Sequence, residues 1–148
     1  MFCNQCEETA RGTGCTVKGV CGKEDHTAGI QDVLMYLCKG IATRNIAAKA
    51  KGMENREAGL FITEALFATL TNTNFDDNRF LAMIQQAIAI RDLLPSSGDA
   101  EPDACTWTPK SDADILAKAQ ELANEAQVND DNYSLRSTLL FGLKGIAA

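Results

Sequence analysis

The sequence is poor in the residues that mark several large classes of protein. It contains one histidine, three prolines and 6% aromatic residues, and it has few β-branched runs, which does not favour a β-sandwich or a barrel. Fourteen Lys and Arg against 20 Asp and Glu give a net charge of −6, which argues against nucleic acid and anionic membranes as partners. Neither a run of 18 apolar residues nor a secretory leader pattern occurs, so we expect a cytoplasmic protein without a membrane partner.

Cysteine is the residue in excess. Four of the six cysteines lie within the first 21 residues, in the pattern Cys3-x2-Cys6-x8-Cys15-x5-Cys21, and glycines punctuate the segment between them. Because thiols stay reduced in the cytoplasm, such a cluster predicts metal binding or redox chemistry rather than a disulfide framework.

The spacing of these four cysteines favours an iron–sulfur cluster. A cubane cluster takes one Cys per iron, and short, uneven gaps let a loop wrap a group wider than a single ion. Structural zinc sites usually show two close Cys pairs, whereas five residues separate Cys15 from Cys21. Two alternatives stay open on spacing alone: a zinc-stabilised helical binding module without redox activity, and a metal-free loop whose thiols are inert or oxidised.

The remainder of the chain predicts an all-α fold, a cysteine loop packed on a bundle of about five helices. Apolar residues recur at the helical i, i+3, i+4 spacing, with Gly, Pro and Asn between the segments. We therefore expect a single domain with a cysteine-rich loop at 1–26 and a bundle at 27–148. The predicted helices run from Thr27 to Gly52, from about Glu54 to Leu70, from Asp76 or Asp77 to Pro95, from Ser111 to near Val128, and, after a turn at 129–132, from a cap at Ser134.

The remaining residues that often bind metals are given ordinary roles. His26 precedes the first helix and is interpreted as a cap or surface residue. It is a secondary candidate as a metal ligand, and for zinc only. Cys38 lies on the apolar stripe of that helix and is predicted to pack in the core. Cys105 lies in a polar connection at 95–110, which is predicted to be a surface loop, and is expected to be exposed and oxidisable.

Charged residues near the loop have two interpretations. A [4Fe–4S]2+ core with four thiolates carries a charge of about −2, so cations beside it favour its reduced form and carboxylates oppose it. The other interpretation is that these charges are simply solvated at the surface. The cations are Arg11, Lys18 and Lys23, and the carboxylates are Glu7 and Glu8.

The last predicted helix has no C-cap glycine and no polar final turn. The tetrapeptide Lys-Gly-Ile-Ala occurs at 39–42 and again at 144–147, and the first helix continues past its copy towards Lys51. We therefore expect the sequence to stop inside a helix, apparently truncated there. An apolar surface for another domain or chain is then expected, and a homo-oligomer through this helix is one arrangement that it allows; the surface comprises Leu139, Leu143 and Ile146.

Several motifs together resemble the N-terminal helical domain of the hybrid-cluster protein family, also called prismane proteins or hydroxylamine reductases. The resemblance implies that Cys3, Cys6, Cys15 and Cys21 hold a [4Fe–4S] cluster for electron transfer. It further implies an electron-donor protein as partner. The motifs are Met-Phe-Cys3-Asn-Gln-Cys6-Glu-Glu-Thr, Gly12-Thr-Gly-Cys15, Gly19-Val-Cys21-Gly-Lys23, Ile30-Gln-Asp-Val-Leu34, Asn74-Phe-Asp76, Ile90-Arg-Asp92 and Ser134-Leu-Arg136 before Phe141-Gly-Leu-Lys-Gly-Ile-Ala-Ala148.

The resemblance also implies what this chain lacks. In the family, hydroxylamine or nitric oxide is reduced at a hybrid iron–sulfur–oxygen cluster, which His, Glu and Cys residues of the following domains hold. Once the four loop cysteines are assigned, only Cys38, Cys105 and His26 remain, too few to build that centre. We therefore expect this chain to relay electrons to the remaining domains of the parent protein and to be an inactive reductase by itself.

Overall fold

A computed structural model describes residues 1–126 and 131–148. Over these residues the chain is all-α, as predicted, with no β-strand beyond one isolated bridge. No helix in the described part of the chain is long and apolar enough to cross a membrane. The helices are α1 (Asp25–Ala50), α2 (Arg56–Ala68), α3 (Asp77–Leu93), α4 (Asp112–Ala126) and α5 (Asp131–Ala147), with one-turn 3₁₀ helices at Ala10–Gly12 and Asp103–Cys105.

Helix α1 is the central element of the bundle. Its 26 residues span about 39 Å, and it packs against α2, α3 and α4. Because its apolar residues recur at three and four positions, they share one side of the helix, where each contributes about 1.5–3 kcal/mol when fully buried. The large apolar residues of α1 that are fully buried are Ile30, Val33, Leu34, Leu37 and Ile41.

Two helix starts show how far capping residues can be predicted. At α4 the backbone N–H of Asp114 donates to Ser111 Oγ (3.4 Å) and that of Ser111 donates to Asp114 Oδ2 (3.0 Å), which confirms the predicted capping box. At α1 the prediction was wrong, since the helix begins at Asp25 and Thr27 is buried in its first turn. The Asp25 carboxylate pairs there with the N-terminal ammonium at 2.5 Å.

Helix α5 starts earlier than predicted. It begins at Asp131, so Ser134 is inside the helix rather than its cap, and Asn132 is helical rather than part of a turn. An acidic first residue suits the positive end of a helix, which explains the earlier start. The predicted end of α4 near Val128 lies outside the described residues. The predicted exposed apolar face is confirmed: Leu135, Leu139, Leu143 and Ile146 are 69%, 66%, 42% and 83% exposed.

The connection at 95–110 is exposed over most of its length, as its composition predicted, but Ala104 and Cys105 are buried. Its 3₁₀ turn packs against α1, and Cys105 is fully buried, so the expectation of an exposed thiol was wrong. A Cβ at Gly40 would stand 2.1 Å from the carbonyl oxygen of Ala104, so only glycine allows this approach. Burial raises the pKa of the Cys105 thiol. Cys38 is in the core, as predicted, and burial raises its pKa to about 12.

Candidate metal centre

Cys3 and Cys15 are held side by side by their backbones. The N–H of Cys3 donates to the carbonyl of Cys15 (3.0 Å), and the N–H of Cys15 donates to the carbonyl of Cys3 (2.8 Å). Gly14 precedes this bridge, and a Cβ there would lie 2.7 Å from the Phe2 ring. This antiparallel bridge therefore places Cys3, from the first pair of predicted ligands, next to Cys15, from the second pair.

The surroundings of Cys15 suit a negatively charged sulfur. Its side chain is buried against Met1 and Ala28, and the backbone N–H of Ala10 donates to its Sγ at 3.4 Å. A backbone N–H that donates to sulfur fixes the position of that sulfur, as second-shell hydrogen bonds do for metal ligands. The 3₁₀ turn that starts at Ala10 therefore contacts the sulfur of Cys15 directly.

Cys21 lies in a glycine turn. The N–H of Gly22 donates to the carbonyl of Gly19 (2.9 Å), and the N–H of Gly19 donates to the carbonyl of Lys23 (2.8 Å). A Cβ at Gly19 would approach the Cys21 sulfur to 3.1 Å, so glycine leaves room for that sulfur beside the backbone. Cys6 is half-buried in the turn that follows the Cys3 bridge.

All four loop cysteines are free thiols, but their side chains do not converge on a single point. Over residues 1–126 and 131–148, no group of three or more Cys, His, Asp or Glu side chains is arranged to hold one metal ion. A cubane cluster has one thiolate on each of four irons, so its ligands need not converge as those of a zinc ion do. Four soft donors with a backbone N–H on one sulfur fit an iron–sulfur cluster by their chemistry.

Two buried lysines lie beneath the loop. Lys23, 2% exposed, donates to Gln31 Oε1 (2.6 Å), and Lys144, 3% exposed, donates to Gln5 Oε1 (3.0 Å) and to the carbonyl of Thr69 (3.1 Å). Among the described residues neither ammonium forms an ion pair with a carboxylate. The carboxylate of Asp32 is an opposite charge that acts on both ammonium groups without a direct ion pair, and such incomplete compensation of buried charge is costly.

The titratable groups around the loop influence one another. Burial raises the pKa of Asp32 to about 6, although Lys144 and Lys23 pull it down. Burial lowers the pKa of Lys144 to about 8, opposed by Asp32, so its ammonium remains charged at neutral pH. Burial also raises the pKa of Cys3, while the Gln5 N–H and the charge of Lys23 lower it. Two cations and one carboxylate leave an excess of positive charge beside the thiols.

The other predicted candidates are distributed differently. Arg11 is exposed, and Lys18 is exposed and paired with Glu24 at 2.5 Å, which leaves Lys23 as the buried cation of the predicted three. The carboxylates at positions 7 and 8 are also exposed. His26 is at the surface, with Nδ1 3.0 Å from Asp77 Oδ2, and is not brought to the cysteines.

Lys144 is the site residue that sequence reasoning missed. It lies on α5, and a lysine on a largely exposed helix is ordinarily predicted to be solvated. The signal was its helical phase: Leu140 and Phe141, four and three positions earlier, are partly buried apolar residues of α5, and Lys144 shares their side.

The fold and the loop together define an all-α domain with four cysteines in an N-terminal loop. The sequence model of the prismane/CO dehydrogenase family matches residues 1–148, so the chain belongs to this family. Members of this family bind iron–sulfur clusters. The chain is similar over its whole length to proteins named hydroxylamine reductase: it is 45% identical to that of Desulfitobacterium hafniense strain DCB-2, 46% to that of Desulfosudis oleivorans and 44% to that of Nitratidesulfovibrio vulgaris Hildenborough. It spans 28–29% of the length of these relatives.

Proposed function

We propose that this chain binds a [4Fe–4S] cluster through Cys3, Cys6, Cys15 and Cys21 and serves as an electron relay. The observation that carries the proposal is the backbone bridge between Cys3 and Cys15, which holds two soft donors side by side across an intervening loop. The family supplies the class of cofactor, and the number and spacing of the cysteines favour the four-iron form.

The protein's own residues prepare the ligands. The Cys3–Cys15 bridge fixes two ligands, the Ala10 N–H stabilises negative charge on the Cys15 sulfur, and the Gly19 turn positions Cys21. When bound, the cluster supplies one-electron transfer, whose potential depends on hydrogen bonds to sulfur, nearby charge and solvent exposure. A loop built in this way offers four sulfur ligands and no carboxylate ligand.

The names of the relatives suggest the role of the complete protein. We propose that it reduces hydroxylamine at a hybrid iron–sulfur–oxygen cluster outside this chain, and that an electron-donor protein reduces the cluster in the cysteine loop. We further propose that the loop at 1–26 and the bundle at 27–148 form one domain, since Cys15 packs against Ala28 of α1. Reduced thiols in the loop favour the cytoplasm as its location.

Anaerobic purification with assays of iron, sulfide and zinc tests the cluster. We expect about four irons and four sulfides per chain and an absorption near ~400 nm that bleaches on reduction, as thiolate-bound iron gives. Stoichiometric zinc without colour would instead establish the zinc-stabilised module, and a chain without metal would exclude both. Hydroxylamine turnover by this chain alone would contradict the relay role.

A further inference from the structure

Lys144 connects α5 to the cysteine loop across the whole length of the chain. It is the buried residue of α5 among those that the structure describes, and its ammonium donates to Gln5 Oε1 from 139 positions away along the sequence. Gln5 lies between Cys3 and Cys6. The second hydrogen bond of the ammonium, to the carbonyl of Thr69, reaches the C-terminal end of α2. One side chain thus joins two helices to the ligand loop.

Lys144 also interacts electrostatically with the proposed ligand Cys3. Cys3, Asp32 and Lys144 line the same groove, of about 560 Å³, between α1 and α5. The acceptors that Lys144 contacts are an amide oxygen and a backbone carbonyl, neither of which neutralises a charge. Lys23 is held in the same way, by the amide oxygen of Gln31. Asp32 is the carboxylate whose charge acts on both lysines, so the two buried cations exceed one carboxylate and leave net positive charge in the neighbourhood of Cys3.

We propose that Lys144 is a positioning residue of the cluster site, which holds a fixed positive charge against the ligand loop and thereby raises the reduction potential of the cluster. The inference rests on the proposed function, because it concerns the cluster held by the four cysteines. Adding one electron to a [4Fe–4S] core with four thiolates increases its negative charge from about −2 to about −3. A cation shielded from water stabilises the more negative state preferentially, because solvent screens it little.

The same contacts give α5 a part in electron transfer. This helix also carries the exposed apolar face formed by Leu135, Leu139, Leu143 and Ile146, so whatever covers that face also bears on the position of Lys144. A small displacement of α5 would lengthen the Lys144–Gln5 hydrogen bond and move the charge away from the loop. The cluster potential would then respond to how α5 is packed.

Three substitutions separate charge from packing. Lys144→Gln removes the charge but keeps N–H donors for Gln5 and Thr69, Lys144→Met removes both, and Lys144→Arg keeps both. We expect EPR-monitored redox titration to give a more negative potential for Gln and Met and a potential close to that of the parent chain for Arg. The matched control is Lys51→Gln, which removes an exposed charge at the opposite end of α1 and should leave the potential unchanged.

Iron and sulfide are measured on every variant. If both neutral variants lose the cluster and Arg retains it, the charge is required to hold the cluster, which supports the proposal. An unchanged potential in the neutral variants with full iron content would overturn it, as would cluster loss or a negative shift in all three, since packing alone would then explain the effect. Absence of iron from the parent chain would refute the proposed function instead, so the two failures are distinguishable.

Discussion

The two ends of α1 bury charged side chains in different ways. Near its C-terminal half, Arg44 and Arg91 are satisfied by carboxylates and carbonyls of the protein itself. Near its N-terminal end, Lys23 and Lys144 are held by uncharged oxygens beside four free thiols. Because a buried charge is tolerated only when it is compensated, the arginine end is complete by itself, whereas at the lysine end Asp32 is the carboxylate that acts on both ammonium groups, and under the proposed function a negatively charged cluster completes the compensation.

The arginine end shows what complete compensation involves. Arg44 donates to both carboxylate oxygens of Glu101, at 3.0 and 2.7 Å, and this bidentate contact lowers the pKa of Glu101 to about 2. Arg91, 1% exposed, donates to the carbonyls of Ala104 and Trp107 and to Thr108 Oγ1. These contacts hold the 95–110 connection against the bundle, where the buried Cys105 is packed as an apolar side chain.

The largest expected effect separates a proposed ligand cysteine in the loop of the lysine end from a cysteine packed in the core. Cys15→Ser should lose the cluster, because the bridged ligand is replaced by a poor one, whereas Cys38→Ser should keep it and lower the free energy of unfolding by about 1–3 kcal/mol. Iron content and urea denaturation measure the two effects. Equal loss of iron in both variants would show that the ligand assignment is wrong.

Among the variants that should keep the cluster, Arg91→Met should cause the largest loss of stability. It leaves the buried carbonyls of Ala104 and Trp107 without their donor, which should lower the free energy of unfolding by about 3 kcal/mol. The control is Arg79→Met, whose side chain is 48% exposed and forms a surface pair with Glu64, for which we expect at most about 1 kcal/mol. Similar denaturation midpoints for the two variants would contradict this account of the arginine end.

Gly40→Ala should weaken the same end through a steric clash. The new methyl group would meet the backbone of Ala104, which cannot rotate away, so we expect a loss of about 2 kcal/mol in thermal or urea denaturation. Gly59→Ala is the matched control in α2, where a Cβ meets nothing within 4 Å. There alanine should stabilise the helix by about 0.5–1 kcal/mol. A stabilised Gly40→Ala chain would rule out the close approach.

The smallest expected effect depends on pH and concerns Glu101. Its folded pKa, about 2, lies below its ordinary value of 4.5, so its contribution to stability is present above pH 4.5 and is lost as the pH falls towards 2. Urea denaturation of the parent chain and of Glu101→Gln at several pH values should therefore show a difference that shrinks over this interval. Glu125→Gln, an exposed control, should show no such convergence; a constant difference for Glu101→Gln would contradict the ion pair.

Prediction from the sequence succeeded where local spacing carried the information. The periodic apolar residues of α1 and the Ser111–Asp114 capping box depend on neighbours within a few positions, and both are present as predicted. The start of α5 and the burial of Cys105 were predicted wrongly. The fate of Cys105 depends on Gly40, which is 65 positions away and which no local pattern connects with it.

The same distinction between local spacing and long-range contacts applies to the candidate site. The four cysteines stand close together in the sequence, so their number, spacing and softness as ligands follow from the sequence alone, and so does the family resemblance. The pairing of Cys3 with Cys15 does not, because it depends on how the loop folds back on itself, and the burial of Lys144 against Gln5 does not, because it joins residues 139 positions apart. Ligand identity is a property of residue type and spacing, whereas compensation of buried charge is a property of packing, which only the tertiary structure decided.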